Sequence, residues 1–346
     1  MPKAHAKPTS HSALRRLIKA LVIPALFAFV LLIICSFSGK AMISNRTGFY
    51  NFVIYTAIIM LTTMALAINL NSGRFDFSLG SMAILSSVLS AKLTYALLSG
   101  DKGSALLMAV FTVLIGIALG FLSGLTYVAL KIPPIITSLG ITLVLEGITY
   151  TVTNGKYVMK EVQNDPMASF TGTWIYALII IIVTLVLMIY LFDYTEFGFN
   201  YRSLKEGQKV AVNTGIREIP NAIACYAITG GLMGLVGFMN AARNTNINGG
   251  NLNFGSIGIM FTAFLPMFIG TYIGRFINNK IGFLFAAICM SMLNSTFAAL
   301  ANEISASTQA IINALLLVVF LIYLSNEHTL RRLFLRNHTF QEVNHD

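Results

Sequence analysis

The amino-acid sequence predicts an all-α fold: a polytopic helical membrane protein with about ten transmembrane helices. Of the 346 residues, 56% are hydrophobic and 10% are charged, whereas about 25% of the residues of soluble globular domains are charged. The mean hydropathy of +0.76 agrees with this excess of apolar residues. Several separate apolar runs approach or exceed the roughly 18 to 20 residues that a helix needs to cross a bilayer. Such runs indicate membrane-spanning helices and not the strands of a membrane barrel.

Charged, glycine-rich and proline-containing interruptions divide the apolar sequence into predicted spans. Their approximate cores are Ala20–Phe37, Tyr50–Leu70, Phe77–Leu98, Ala105–Leu130, Pro134–Thr153, Trp174–Phe192, Asn221–Asn240, Ile257–Ile273, Ile281–Ala301 and Thr308–Tyr323. Together they predict one transmembrane domain over residues 20–325, between a basic tail at 1–19 and a second tail at 326–346. Small residues recur at three- and four-residue spacing in the Gly116–Leu125 and Gly230–Gly237 segments, which predicts a tightly packed bundle.

The first apolar run, Ala20–Phe37, follows the basic tail and has the outline of a secretory signal. A small-x-small cleavage site does not follow this run, so we expect an uncleaved first span. The three cysteines, Cys35, Cys225 and Cys289, lie inside apolar runs and have no paired spacing. They are therefore expected to be packing residues, with neither a disulfide framework nor a metal site.

The distribution of basic residues predicts that both termini face the cytoplasm. With that orientation, sixteen of the 23 Lys and Arg residues fall in cytoplasmic segments, as expected from the enrichment of basic residues in cytoplasmic loops. The same enrichment accounts for the net charge of +10, so we expect a lipid bilayer and no nucleic acid as the surroundings of the chain. The protein is then a multi-pass protein of the plasma or inner membrane.

A charged segment, Asp193–Pro220, separates two spans that carry almost no charge. Its middle, from Leu204 to Gly215, contains no proline and can form a short helix. Gly215 and Pro220 are typical of the residues that end one helix and precede the next. We therefore predict a short helix lying along the cytoplasmic surface of the membrane. The alternative is a solvated connector between two spans.

The stretch Asn69–Ser81 places polar residues between two spans that would otherwise run on. Its glycines permit a break, and backbone freed at membrane depth is tolerated only where protein or a water-filled cavity covers it. The candidate residues of a solute pathway in this stretch are Asn69, Asn71, Asp76 and Ser78. The alternative is structural: an Arg74–Asp76 pair at the start of the next helix, because a carboxylate there satisfies free backbone amides.

Three further pathway candidates lie in the predicted spans: Glu146, Asn240 and Asn294. A lone ionised carboxylate in hydrocarbon is costly, so Glu146 should be paired or should face water inside the bundle. A buried hydrogen bond to a neighbouring helix is the alternative to a functional role. Asn240 begins an outward-facing stretch rich in amides and glycine that either meets a polar ligand or an external partner, or forms a glycine-rich loop.

Two absent motifs narrow the class of protein. The sequence contains no G-x-x-x-x-G-K-[ST] motif, so the chain has no P-loop with which to hydrolyse a nucleotide. It contains no H-E-x-x-H motif, and its five histidines all lie in the tails, whereas an intramembrane metalloprotease needs metal ligands at membrane depth. We therefore expect no catalytic residue, no metal and no cofactor in this chain.

Several short motifs resemble one known family. They are Ser72-Gly73-x-x-Asp76-x-Ser78-x-Gly80-Ser81, Thr153-Asn154-Gly155, Phe197-Gly198 followed by Leu204, and Gly215-Ile216. These motifs are similar to those of the transmembrane permease subunits of ATP-binding-cassette importers, in the branch that takes up ribose, galactose, xylose and related small solutes. The resemblance covers nearly all of the chain after the first tail. The sequence departs from the family pattern at Arg74, where glycine is usual, at Gln208, where an acidic residue is usual, and at Glu146, where arginine is common.

The resemblance implies the membrane half of an ATP-driven importer for a monosaccharide or a related small polar solute. The implied partners are an ATP-binding-cassette ATPase subunit that uses the ATP, an extracytoplasmic solute-binding protein, and a second permease subunit that is identical or different. The resemblance also implies that residues 193–220 contain a cytoplasmic coupling helix. Its expected contacts with the ATPase are Leu204, Lys205, Glu206, Lys209, Val210, Val212 and Gly215.

Two other classes of protein remain open from the residues themselves. A stand-alone secondary transporter would couple transport through an intramembrane carboxylate such as Glu146. A membrane scaffold that transports nothing would need only the packing features and none of the polar breaks. A genomic neighbour that encodes a P-loop ATPase and a secreted solute-binding protein would favour the importer.

Overall fold

The computed structural model describes residues 10–97, 105–158, 174–244, 247–301 and 303–342. Within these residues, ten helical stretches are long and apolar enough to cross a membrane. This confirms the predicted all-helical, polytopic class. Leu98, residues 1–9 of the predicted first tail and residues 343–346 of the predicted second tail lie outside the described residues.

The described residues form twelve helices and one short pair of strands. In chain order these are α1 (Ser10–Phe37), α2 (Arg46–Asn71), α3 (Leu79–Leu97), α4 (Ala105–Leu130), α5 (Pro134–Thr153), β1 (Tyr157–Val158), α6 (Ile175–Tyr194), α7 (Glu196–Asn213), α8 (Glu218–Asn244), β2 (Ile247–Asn248), α9 (Ile257–Phe261), α10 (Phe264–Gly274), α11 (Asn279–Ala299) and α12 (Ala306–Glu342). β1 and β2 pair antiparallel, with Tyr157 opposite Asn248. The chain forms two compact units, Met1–Ala299 and Leu300–Asp346, and the second contains α12.

The centre of the first unit is formed by α2 and α8. In α2, 83% of the most apolar 18-residue stretch is buried, and in α8 the share is 72%, compared with 17% in α1 and 28% in α4. Because lipid solvates apolar side chains as well as protein does, an apolar helix can keep most of its surface outside the protein core. The burial therefore places α2 and α8 in the core and leaves α1 and α4 at the periphery.

Glycine allows α8 to pack directly on α4 at the level of the backbone. A Cβ atom on Gly230 would lie 2.2 Å from the carbonyl oxygen of Gly116 and 2.8 Å from Cα of Gly120. A Cβ atom on Gly120 would lie 2.1 Å from the carbonyl oxygen of Tyr226. These distances are far below van der Waals contact, so only glycine fits. The predicted role of small residues in helix packing is confirmed at this contact.

The predicted span Ile257–Ile273 is divided in the structure into α9 and α10, which are separated by Thr262 and Ala263. Pro266 supplies the physical reason. Its ring nitrogen cannot donate to the carbonyl of Thr262, four residues earlier, and the ring crowds that carbonyl. The helical hydrogen-bond ladder is therefore interrupted just before α10.

Candidate functional site

The break between α2 and α3 encloses a buried group of polar side chains. Asn69, at the end of α2, donates from Nδ2 to Oδ2 of Asp76 at 3.2 Å and to Oγ1 of Thr229 on α8 at 3.2 Å. Oδ1 of Asp76 accepts the backbone N–H of Ser78 at 2.9 Å and its hydroxyl at 2.6 Å. Asn69, Asp76 and Ser78 are each at most 1% exposed. The structure thus brings together three of the predicted pathway residues.

The local sequence explains this geometry. Gly73 has a φ of +74°, a left-handed conformation that glycine adopts without strain and that ends α2. The hydrogen bond from the Ser78 N–H to Asp76, two residues earlier, closes a turn of the kind that aspartate favours. Ser78 then accepts the N–H of Met82 at 2.9 Å in the first turn of α3. Asp76 therefore holds Ser78, the residue that immediately precedes α3.

Arg74 lies between these residues and has its counter-charge on another helix. Its side chain is 4% exposed, and Nη2 lies 3.6 Å from Oε1 of Glu218, the first residue of α8. The Arg74–Asp76 pair was the structural alternative from the sequence. In the structure the ion pair of Arg74 is made with Glu218, and the contacts of Asp76 are to Ser78 and Asn69.

We expect Asp76→Ala to lower the amount of folded protein. The substitution leaves the buried N–H of Ser78 without its acceptor, which costs about 1–3 kcal/mol. Asp76→Asn keeps one acceptor oxygen and should cause a smaller loss. The measurement is the membrane yield and the thermal unfolding midpoint of both variants beside uptake. A normal yield with an altered solute preference for Asp76→Ala would instead indicate direct contact with the solute.

Glu146 is paired inside the bundle, as expected for an intramembrane carboxylate. It lies on α5 and is 2% exposed. Its oxygens accept the backbone N–H of Phe254 at 2.9 Å, the backbone N–H of Ser256 at 2.8 Å and the Ser256 hydroxyl at 2.5 Å. The N–H groups that precede α9 have no acceptor within that helix, and Glu146 supplies one. The carboxylate thus connects α5 to the segment that leads into α9.

We expect Glu146→Leu to lower the thermal unfolding midpoint clearly and Glu146→Gln to lower it less. Leucine removes the acceptor of the buried Ser256 N–H, at about 1–3 kcal/mol, whereas glutamine retains one acceptor oxygen. ATP-driven uptake by Glu146→Gln should persist. The measurement combines thermal unfolding with uptake in the presence and absence of an imposed proton gradient. Loss of uptake together with loss of a proton dependence would support secondary transport through Glu146.

A cavity of about 380 Å³ lies beside the end of α2. Asn71, the fourth pathway candidate of this stretch, lines it together with Tyr201 of α7. Asp193, at the end of α6, also lines the cavity. Its carboxylate accepts hydrogen bonds from Nδ2 of Asn278 at 2.8 Å and from Nζ of Lys280 at 2.5 Å. This ion pair, which the sequence analysis missed, joins α6 to the start of α11. Because 87 residues separate its partners, no local sequence pattern indicates the pair.

Asn240 and Asn294 are not part of the buried polar group around Asn69. Both are half-buried. Asn240 follows Thr229, the α8 contact of Asn69, by eleven residues, which is about 16 Å along a helix. Asn294 lies at the same separation from Phe283, which lines the cavity. The two amides therefore lie on the halves of α8 and α11 that are distant from the break and the cavity.

The charged segment forms a longer helix than predicted. The expected helix covered Leu204 to Gly215, whereas α7 covers Glu196–Asn213, with the helical conformation interrupted at Gly207 (φ −174°, ψ 86°). The additional turns are stabilised by the bundle: the hydroxyl of Tyr201 donates to the carbonyl of Ile68 at 2.9 Å, and the ring of Phe192 lies 5.0 Å from that of Tyr201. Tertiary contacts thus extend the helix beyond its predicted start.

One predicted contact residue of this helix was wrong. Leu204 was expected to offer an apolar contact to a partner, but its side chain is only 7% exposed. It lies one turn after Tyr201, on the side of α7 that packs on the bundle, so it is used within the chain. Val210 is 69% exposed and Val212 is 43% exposed. These valines are the accessible apolar side chains among the predicted contacts.

The exposed half of α7, which we define as residues 208–213, therefore combines apolar and charged surface. Lys209 is exposed beside Val210, and Lys205 and Glu206 are exposed just before the interruption at Gly207. Gly215 has a φ of +93°, so it adopts the left-handed conformation predicted for the residue that ends this helix. α8 then begins at Glu218.

These features define the class of protein. The structure combines membrane-length helices, a buried polar break beside a cavity, and an exposed half-helix with apolar and charged side chains. This combination is typical of a multi-pass membrane transport protein. The chain belongs to the family described as "Branched-chain amino acid transport system / permease component", which matches residues 48–324. It is thus a permease subunit of the ATP-binding-cassette importer class, as the resemblance implied. This assignment replaces the two alternatives, a stand-alone secondary transporter and a membrane scaffold.

Curated relatives in the same class are permease proteins of autoinducer 2 import systems. The chain is 24% identical over 249 residues to LsrC of Photorhabdus luminescens, covering 69% of this chain and 70% of the relative. It is 26% identical over 232 residues to LsrC of Escherichia coli (strain K12 / DH10B), covering 64% of each. For LsrC of Salmonella typhimurium the identity is 25% over 193 residues, covering 54% of this chain and 53% of the relative. No solved structure matches the chain.

Proposed function

We propose that this chain provides the translocation pathway for a monosaccharide or a related small polar solute, such as a sugar-derived signal. The family match carries this proposal, and the names of the relatives narrow it, since autoinducer 2 is the solute of their import systems. ATP is hydrolysed on a separate ATPase subunit, and this chain contributes no cofactor. An extracytoplasmic solute-binding protein delivers the solute.

The pathway lies between this chain and a second permease subunit, which is a copy of it or a different chain. Alternating access then opens the pathway to one side of the membrane at a time. The buried group of Asn69, Asp76 and Ser78 positions the break between α2 and α3, and Asn71 lines the cavity beside it. Asn240 and Asn294 lie farther along the same path on α8 and α11. Glu146 supports this path by holding the start of α9.

The proposed contact with the ATPase, on the cytoplasmic side, is made by Val210 and Val212 in the exposed half of α7. Two observations support this assignment. The basic residues favour an orientation in which α7 and both termini face the cytoplasm. Val210 and Val212 are exposed outside the membrane-length helices, so their apolar side chains are available for contact with a partner. Lys205, Glu206 and Lys209 surround them, and such rim charges tune the rate and register of binding.

The solute class is tested with the solute-binding protein encoded beside this chain. Calorimetric titration with ribose, galactose, xylose and autoinducer 2 should show binding of at least one of these compounds. The same compound should then be taken up by cells that express the complete system and not by cells that lack this chain. Tight binding of a branched-chain amino acid and of none of the four compounds would contradict the proposed solute class.

A further inference from the structure

One carboxylate oxygen connects three separate segments of the first unit. Oε1 of Glu218, at the start of α8, accepts a hydrogen bond of 2.5 Å from Nε2 of Gln208, which lies in the exposed half of α7. The same oxygen lies 3.6 Å from Nη2 of Arg74, in the break between α2 and α3. Gln208 is exposed, Glu218 is 29% exposed and Arg74 is 4% exposed. These three residues, here called the Glu218 bridge, lead from the surface into the interior.

The inner end of the Glu218 bridge is fixed to α2. The backbone N–H of Arg74 donates to the carbonyl of Asn69 at 2.9 Å, in the last turn of α2. Nη1 of Arg74 is buried without a hydrogen-bond partner among the described residues, and Nη2 makes the ion pair with Glu218. A displacement of Glu218 therefore acts on Arg74, and through Arg74 on the end of α2 that lines the cavity.

The outer end of the Glu218 bridge lies beyond the interruption at Gly207. The first half of α7 is held to the bundle by the hydrogen bond from Tyr201 to Ile68 and by the buried side chain of Leu204. The half after Gly207 is attached through the buried Ala211 and through Gln208. A partner that pushes or pulls this half can therefore move it relative to the fixed half, and Gln208 moves with it.

We propose that Gln208, Glu218 and Arg74 are positioning residues that transmit displacement of the exposed half of α7 to the break between α2 and α3. This inference rests on the proposed contact between α7 and an ATPase. In each ATP cycle, the ATPase shifts residues 208–213, Gln208 shifts Glu218 at the start of α8, and Glu218 shifts Arg74 and the end of α2. The break thereby changes the access to the cavity. None of the three residues contacts the solute.

The test measures ATP-driven movement at the cavity and does not depend on knowing the solute. Ile277, which lines the cavity, is replaced by cysteine as a reporter, and the three native cysteines can remain because they are buried. The reporter chain is purified with its ATPase subunit and labelled by a water-soluble maleimide, with and without ATP and vanadate. Gln208→Ala breaks the outer end of the bridge at an exposed position. Asn213→Ala, an exposed amide on the same half of α7, is the matched control.

We expect ATP to change the labelling rate of the reporter by about fivefold, within the usual range of couplings between sites. Gln208→Ala should remove most of this change while the complex still assembles and hydrolyses ATP at a rate within about twofold of the reference, because Val210 and Val212, the proposed contacts with the ATPase, are unchanged. Gln208→Glu should behave in the same way, since its carboxylate repels Glu218. Asn213→Ala should retain the full change.

Three other outcomes would contradict the proposals. The first two concern only the Glu218 bridge, and the third concerns the proposed function as well. A full ATP-dependent change in Gln208→Ala, equal to that of Asn213→Ala, would contradict the role of the Glu218 bridge and leave the ATPase contact in place. A fall in the unfolding midpoint of Gln208→Ala that accounts for the lost change would reduce the bridge to a stabilising contact. Failure of the reference chain to bind the ATPase, or to respond to ATP, would contradict the proposed function itself.

Discussion

Gly230→Leu is expected to prevent the first unit from folding. Even the first side-chain atom would lie 2.2 Å from the carbonyl oxygen of Gly116 and 2.8 Å from Cα of Gly120, so α4 and α8 would have to separate. Inserting volume into a close-packed contact costs about 1–3 kcal/mol or more, and leucine here also removes the backbone contact that holds two membrane helices together. We expect the yield of folded protein to fall about tenfold or more, as measured by size-exclusion chromatography of the solubilised membrane fraction.

Gly140→Leu is the matched control for this prediction. A Cβ atom on Gly140 would have nothing within 4 Å, and the residue is exposed on α5, a membrane-length helix. The same change of side chain should therefore leave the folded yield unchanged. Equal yields and equal unfolding midpoints for Gly230→Leu and Gly140→Leu would show that α4 and α8 do not pack as described.

Val210→Asp is expected to separate the permease from its ATPase without affecting the bundle. Val210 is 69% exposed and lies after the interruption at Gly207, so an aspartate there disturbs no buried contact of the chain. In a complex the carboxylate would be buried against the partner without compensation, and losing a central anchor costs about 2 kcal/mol or more. That cost corresponds to roughly 30-fold weaker binding. The measurement is ATPase affinity and solute-stimulated ATP hydrolysis of the reconstituted complex.

Lys209→Ala provides the comparison for Val210→Asp. Lys209 is exposed beside Val210, and a charge at the rim of an interface mainly tunes encounter and register. Its removal should change the salt dependence of binding more than the affinity. The membrane yields of both variants should equal that of the parent chain. Full ATPase stimulation and normal uptake by Val210→Asp would show that the segment is only a connector between two spans.

The sequence predicted the features that depend on local patterns. Apolar runs of membrane length gave the number and approximate positions of the spans, because a bilayer requires about 18 to 20 apolar residues for each helix. Glycine spacing predicted a tightly packed bundle, and α5 covers the predicted range Pro134–Thr153. The polar break after α2 was also predicted, because charged and polar residues are costly inside a membrane-spanning helix.

The remaining features depend on contacts between distant segments. Glu146 receives its hydrogen bonds from residues 108 and 110 positions later, and only the folded chain brings them together. Glu218 is one of several charges in the segment Asp193–Pro220, and no local pattern distinguishes it, whereas in the structure it faces the buried Arg74. Leu204 is an apolar residue of α7 like the exposed Val210 and Val212, yet its side chain faces the bundle. Periodicity within a short, charged helix does not specify which face another helix covers.

The energy source of transport distinguishes an ATP-driven importer from a secondary transporter most directly. The chain is reconstituted into liposomes with the neighbouring ATPase, the solute-binding protein and any second permease subunit, and uptake of ribose, galactose, xylose and autoinducer 2 is measured. We expect uptake to require ATP on the ATPase side, to require the binding protein on the other side, and to stop when the P-loop lysine of the ATPase is replaced. Uptake by the chain alone, driven by a proton or sodium gradient and insensitive to ATP, would contradict the assignment as an importer permease.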